Sequence, residues 1–262
     1  MRAVQGRTVG RVVPIRRAST GSAAPVFDAP AATKVALILP VLLSVIAGST
    51  DIIGFLGLNG LFTAHITGNL IVLAARVVAG DPAILSAVLS VPVFMLVLLL
   101  TRLIAGAIAR TGGSTLRPLL LLQLLMLVIF LALSVTAGPW KDADAGLAIV
   151  AGMFGVAAMA VQNALVQIAL RNAPSTAVMT TNVTHLMLDV GSVLVGQDAA
   201  DTVKAKNRAL HILPVVAGFA VGCGLGAAAE AAAGLWSLVL PTALALFAFA
   251  MGGISAPDRG TR

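Results

Sequence analysis

The sequence predicts an all-α polytopic membrane protein built from two pseudo-symmetric halves. Its 262 residues are 59% hydrophobic and 10% charged, whereas soluble domains carry about 25% charged residues. Most of the chain falls into apolar runs long enough to cross a bilayer, which takes about 20 residues. A polar motif, FTAHITGNL at residues 62–70, interrupts these runs and recurs in weaker form as STAVMTTNV at residues 175–183. The composition and the duplicated polar break together favour a membrane protein with one discontinuous helix in each half.

The basic surplus of the chain, 17 Lys and Arg against 10 Asp and Glu, lies in an N-terminal arm and in short loops. Cytoplasmic loops of membrane proteins carry such an excess, so we expect lipid and not nucleic acid as the partner of these residues. Residues 1–33 form the arm, whose Arg, Ser, Gly, Ala and Pro content predicts a disordered cytoplasmic segment. The single cysteine, Cys223, excludes an internal disulfide.

The apolar runs after the arm divide the chain into two membrane halves. The first half is predicted over residues 34–137 and the second over residues 146–254, with a loop at 138–145 and a polar tail at 255–262. Pro and Gly residues mark several ends, because Pro cannot continue a helix and Gly caps one. Six long apolar segments are candidates for full transmembrane helices: 35–58, 84–109, 118–136, 146–170, 210–229 and 235–253.

Two short apolar segments decide how many helices cross the membrane. Segments 71–79 and 183–195 follow the polar breaks, contain charged residues and fall short of the roughly 20 residues that a crossing needs. If both crossed, with the N-terminus inside, Arg110, Arg117 and Arg171 would lie outside, against the positive-inside rule. If both dip in and return, all three lie inside. We therefore predict about six full transmembrane helices plus two re-entrant ones. The second half would then be inverted, because three crossings separate the breaks.

The polar breaks are the predicted binding region. A broken helix frees backbone N–H and C=O groups, which is tolerated in a membrane only inside protein or along a cavity, and a helix N-terminus favours an anion. The alternative is that the same residue types serve helix packing and capping. The candidate solute-binding residues are Asp51, Thr63, His65, Thr67, Asn69, Gln162, Asn163, Thr180 and Asn182.

Charged residues inside the apolar segments add a second set of candidates. Asp51 lies within the first span, where an acid is costly unless it faces a cavity or a partner. It could bind a cation, relay a proton or pair with a base. Arg76 and Asp189 have opposite charge and occupy the same position of the two repeats. We therefore predict a charge pair or gate between the two short segments.

Catalytic and metal-binding patterns are absent from the sequence. His185 and Asp189 share a helix face, but zinc sites need three or four ligands, so we predict no metal and no cofactor. The chain has no Walker loop, nucleophile elbow or HExxH motif. We therefore expect no enzymatic activity.

Several of these motifs resemble the YoaK family of bacterial membrane proteins. The resemblance rests on AGSTD at residues 47–51, the FTAHITGNL motif, QNA at residues 162–164 and VMTTNVT at residues 178–184, and it runs from about residue 35 to residue 253. It implies a multi-pass protein of the bacterial cytoplasmic (inner) membrane, and the basic arm separately predicts a cytoplasmic N-terminus. It implies no activity, because that family is one of unknown function.

The sequence leaves two functional classes open. The polar breaks favour a secondary transporter or permease for a small solute or ion. The alternative is a non-transporting membrane scaffold or sensor subunit, in which small residues such as Gly218, Gly222, Gly224 and Gly226 serve helix association. Association into a homo-oligomer is compatible with either class.

Overall fold

The chain folds into a bundle of α-helices. The computed structural model describes residues 29–136, 146–196 and 198–254, and side chains from residue 37 to residue 253. The predicted loop at 138–145, the predicted tail at 255–262 and nearly all of the predicted arm lie outside the described residues. The helices are α1 (Ala29–Gly57), α2 (Ile66–Ala79), α3 (Leu85–Arg110), α4 (Leu116–Thr136), α5 (Gly146–Ala169), α6 (Met179–Val195), α7 (Ala199–Ala233) and α8 (Val239–Ile254), with a 3-10 helix at Gly234–Leu238 between the last two.

Most of these helices have the length and composition of membrane spans. Leu96, Leu99 and Leu103 of α3 are each more than half exposed, as expected for a helix that faces lipid. With 14 and 17 residues, α2 and α6 are shorter than the full spans, as the sequence predicts. Five segments among the described residues are long and apolar enough to cross a membrane: Leu37–Gly57, Leu85–Arg110, Leu116–Thr136, Gly146–Ala169 and Ala199–Gly253. The predicted class, an all-α membrane protein, is confirmed at this level.

The last of these segments is 55 residues long and contains two helices. Gly234 has φ +57° and ends α7, a left-handed conformation that glycine adopts without steric strain. The 3-10 helix turns the chain, and both α7 and α8 pack against α1. Gly253, near the end of α8, lies against Arg117 at the start of α4.

A stripe of glycines brings α1 and α7 into close contact. Gly218, Gly222 and Gly226 are spaced four residues apart and lie against Val41, Val45 and Ser49 in the same order, so the two helices run in the same direction. Small residues at such spacing let helix backbones approach closely in a membrane. A Cβ atom at Gly222 would lie 2.3 Å from the Val45 carbonyl oxygen, which leaves no room for a side chain.

The other helices complete the bundle around α1. Helix α4 packs against α5 and α8, α3 packs against α5 and α2, and α6 packs against α7. The fully buried side chains include Leu43 of α1, Phe130 of α4 and Met159 of α5. Phe130 faces Gly155, and a side-chain hydrogen bond from Gln123 of α4 to Gln162 of α5 joins the two helices further along. These contacts fix the position of α5, and a side chain of α5 helps to hold the second polar break.

The glycine stripe gives a direct test of the α1–α7 contact. We expect Gly222→Ala to lower the free energy of unfolding by about 1–3 kcal/mol, because the added methyl forces two backbones apart. A Cβ at Gly224 meets nothing within 4 Å, so Gly224→Ala should be neutral or slightly stabilising through helix propensity. Thermal unfolding of both variants in detergent measures the difference. Equal effects of the two substitutions would contradict the packing described here.

Candidate functional site

The first polar break is a turn that brings the chain back beside α1. Asn59 and Gly60 have φ angles of +52° and +75°, a left-handed conformation that Gly and Asn tolerate best. The chain then returns far enough that Thr63 lies against Gly54 of α1. Helix α2 therefore begins beside the body of α1 and not beyond its end.

Asp51 holds this returning segment. Its Oδ1 atom accepts hydrogen bonds from the backbone N–H groups of Thr63 and Ala64, each at 2.7 Å. Its Oδ2 atom lies 2.7 Å from Nδ1 of His65. The Asp51 residue is only 5% exposed, and a buried carboxylate needs such partners to offset its lost hydration. Three residues that the sequence singled out, Asp51, Thr63 and His65, are thus brought together.

Asn69 closes the same break from inside α2. The backbone N–H of Phe62 donates to Asn69 Oδ1 at 2.9 Å, and Asn69 Nδ2 donates to the Phe62 carbonyl at 2.7 Å. In the second break, Asn182 Nδ2 donates to the Ser175 carbonyl at 2.6 Å. The same register thus gives related contacts in both breaks. Each amide holds the loop that precedes its helix, and we call Asn69 and Asn182 the asparagine clamps. This is the capping role that the sequence left open as the alternative to solute binding.

The second break is held by an amide network instead of a carboxylate. Gln162 Nε2 donates to the Leu43 carbonyl at 2.8 Å and to Thr176 Oγ1 at 2.9 Å. Its Oε1 atom accepts from Gln123 Nε2 at 2.7 Å. Gln162 is fully buried and Gln123 nearly so. The first break therefore contains titratable groups in its support, whereas these supports of the second break are neutral.

One cavity of about 450 Å³ lies between the two breaks. Residues 64–67 line it at the start of α2, and residues 177–180 line it at the start of α6. Neither helix has a side-chain hydrogen bond at its N-cap residue. Helix N-termini carry partial positive charge on their free N–H groups, so two such ends border one space. The remaining walls come from α3, with Phe94, Leu98 and Arg102, and from α5, with Asn163, Ala164, Gln167 and Ile168.

A cationic side chain lines this cavity. Arg102 lines it, and among the described residues no carboxylate oxygen lies within 4.0 Å of its guanidinium. The lining includes His65 and contains no Asp or Glu. Arg102 is not among the site residues that the sequence predicts. Gln167 was also missed, because nothing in the sequence tells which face of α5 meets α3.

The predicted site residues thus divide into two groups. His65, Thr67, Asn163 and Thr180 line the cavity. The others support the loops from behind the lining: Asp51, Thr63, Asn69, Gln162 and Asn182.

Arg76 and Asp189 do not form the predicted charge pair. Arg76 donates to the carbonyl groups of Asn59 and Ala83 and lies 3.9 Å from Asp81. Asp189 accepts from Arg208 Nη2 at 2.6 Å. Both residues lie in the later part of their helices, away from the N-termini that border the cavity, so each finds a nearer partner. No group of three or more His, Cys, Asp or Glu residues that could hold a metal occurs in the described part of the chain.

Comparison with known proteins identifies a family without an assigned activity. The family model described as "Protein of unknown function (DUF1275)" matches residues 39–251, which covers nearly all of the helical bundle. This match is consistent with the resemblance read from the sequence motifs. No curated protein and no solved structure matches the chain.

The asparagine clamps predict unequal stability effects. Asn69→Ala removes two hydrogen bonds and leaves both backbone groups of Phe62 without this partner, so we expect a loss of about 2 kcal/mol in the free energy of unfolding. Asn182→Ala is the matched control, because it removes one such bond and should cost about 1 kcal/mol. Denaturant unfolding in detergent compares the two. The clamp interpretation fails if Asn69→Ala is no more destabilising than Asn182→Ala.

Proposed function

The chain belongs to the DUF1275 family of proteins of unknown function, and we propose that it is a secondary transporter or permease for a small anionic solute. The proposal rests on one observation: the first turns of α2 and α6 border the same cavity. Discontinuous helices whose N-termini meet at a solute site are a recurring design of secondary transporters.

The proposed arrangement has six crossings, with α2 re-entrant. Arg76, near the end of α2, donates to the carbonyl of Asn59 just beyond the end of α1. Helix α2 therefore leads back to the side on which α1 ended. Helix α3 would then make the second crossing, and its following loop would lie on the side of the N-terminus, where Arg110 and Arg117 satisfy the positive-inside rule.

The same reasoning applies to α6 and to the last two helices. Pro174, between α5 and α6, shares a groove with His211 of α7, while Asp189 of α6 pairs with Arg208 nearer the start of α7. Helix α6 thus leads away from the bundle centre, on the side where α5 ended. The turn at Gly234 lets α7 and α8 count as separate crossings, which brings the total to six.

The helix contacts support an inverted repeat of α1–α4 in α5–α8. The contact of α1 with α7 corresponds to the contact of α5 with α3 when the halves are exchanged. Likewise, the contact of α2 with α3 corresponds to the contact of α6 with α7, and the contact of α4 with α5 corresponds to the contact of α8 with α1. Such a repeat would put the two breaks on opposite sides of one central site, as in transporters that alternate access.

The chemistry of the cavity favours an anion. Arg102 supplies a full positive charge, and a cation within a membrane protein normally marks a partner or a solute pathway. The two helix N-termini add partial positive charge, while Thr67, Asn163 and Thr180 offer hydrogen bonds. A small carboxylate or inorganic anion would fit this pattern.

The glycine residues that suggested a scaffold or sensor subunit pack mostly within the chain itself. Gly218, Gly222 and Gly226 face α1 within the chain, so they are not available to a partner helix. Gly224 alone of the four is open. We therefore favour transport over a scaffold or sensor role.

Cysteine labelling in the inner membrane tests the six-crossing arrangement. In a Cys223→Ser background, Ala79→Cys between α2 and α3 should react with an impermeant thiol reagent from outside. Ser114→Cys between α3 and α4 should react only from the cytoplasmic side. Eight crossings from a cytoplasmic N-terminus would reverse both results, so the two sites act as controls for each other.

Uptake by proteoliposomes tests the function. With chloride, formate and acetate as labelled probes, we expect saturable uptake of at least one. Loss of an Arg102 contact should cost about 1.5–3 kcal/mol, so Arg102→Gln should reduce kcat/KM roughly 10-fold or more. Arg110→Gln, at the exposed end of the same helix, should retain the wild-type rate. The absence of uptake for all three probes, or equal uptake by Arg102→Gln, would count against the proposal.

A further inference from the structure

We propose that Asp51 and His65 form a proton-binding site that is loaded together with the anion, so that solute and proton occupy the cavity as a pair. This inference rests on the proposed transport function. It names the coupling ion and the residue that carries it.

The geometry assigns different roles to the two nitrogen atoms of His65. Oδ1 of Asp51 accepts N–H groups from Thr63 and Ala64, so the carboxyl group is the hydrogen-bond acceptor of this cluster. The proton in the 2.7 Å contact between His65 Nδ1 and Asp51 Oδ2 therefore belongs on Nδ1. Nε2 has no hydrogen-bond partner among the described residues, and the His65 side chain is 35% exposed and lines the cavity. Nε2 is thus the atom that gains or loses a proton.

The surroundings of His65 contain few other charges. Arg102 of α3 lines the same cavity, and the backbone of Cys223 of α7 lies against Gly48 of α1, about one turn before Asp51. Phe219 of α7 packs its ring edge against the imidazole at 5.2 Å between centroids. The α5 and α6 walls contribute neutral polar groups, such as Gln167 and Thr180. In the described residues, the balance of charge at the site is therefore set by Asp51, His65 and Arg102.

This balance links the proton to the anion. With Nε2 unprotonated, the charges of Asp51 and Arg102 cancel, and an added anion leaves one uncompensated negative charge at the site. Protonation of Nε2 restores neutrality, and an uncompensated charge inside a membrane protein is expensive. The proton and the anion must therefore raise each other's affinity, because binding linkage is reciprocal. A positive His65 alone, at the N-terminus of α2, is opposed by the helix dipole, which an anion in the cavity would offset.

The neutral support of the second break fits the same scheme. Gln162 does for that loop what Asp51 does for the first, but an amide cannot exchange its charge state. Only the first break would then respond to the proton. The cavity would have one face that senses pH and one that does not.

Nuclear magnetic resonance of the imidazole groups tests this inference. The chain has three histidines, so His185→Gln with His211→Gln leaves His65 as the single signal. We expect that signal to shift as the pH is changed in detergent. Asp51→Asn keeps an oxygen acceptor for the loop and should lower the midpoint, because an opposite charge favours the protonated form. Asp189 lies on α6 and pairs with Arg208, so the control variant Asp189→Asn should leave the His65 midpoint unchanged.

The anion dependence uses the histidine background without a change at Asp51. Addition of chloride, formate or acetate should raise the His65 midpoint for each probe that the vesicles take up. A signal that does not titrate, an equal midpoint in Asp51→Asn, or a midpoint that no anion moves would each overturn the inference. Uptake without a midpoint shift rejects the proton site and leaves the transport proposal standing. The absence of both rejects both.

Discussion

The rest of the site depends on the hydrogen bonds by which the Asp51 carboxylate holds the chain where it returns after α1. A helix that stops inside a bilayer leaves backbone N–H groups that water cannot reach. Asp51 accepts two of them, at Thr63 and Ala64, and fixes the imidazole of His65 with its second oxygen. Without this acceptor the first break would have to extend or melt, and α2 would not begin where it borders the cavity. A single buried acid thus sets the position of one helix N-terminus.

The second break shows that the same mechanical problem has a neutral solution. Gln162 reaches from α5 to Thr176 and to the backbone of α1, while Asn182 clamps the loop as Asn69 does in the first break. Amide groups can therefore hold a broken helix, and a carboxylate at the first break is more than support requires. The extra charge, placed against a histidine that lines the cavity, is the feature that connects structure with proton chemistry.

Composition and spacing sufficed to predict the membrane class and the short helices, and the recurring motif puts Asn69 and Asn182 at equivalent positions of the two breaks. The error at Arg76 and Asp189 has a physical cause. Both residues lie in the later part of their helices, where Arg76 meets the carbonyl groups of Asn59 and Ala83 and Asp189 meets Arg208. Arg102 and Gln167 were missed for a related reason. The pairing of α3 with α5 depends on which faces pack, and two helices that are apolar on most of their surface carry little signal for that choice. The sequence left open whether Asn69 binds a solute or caps α2. Its partner Phe62 lies in the loop before the helix, and the sequence does not reveal the course of that loop.

The central claim is that the two breaks line one cavity in the membrane, and cross-linking tests it most directly. In a Cys223→Ser background, Thr67→Cys with Thr180→Cys puts one thiol at the start of α2 and one at the start of α6. A short bifunctional thiol reagent should join them within one chain, whereas Thr67→Cys with Ser192→Cys, near the far end of α6, should give no product. Rapid linkage of the first pair alone is the predicted result. Failure of the first pair, or equal linkage of both, would show that the breaks do not share a cavity.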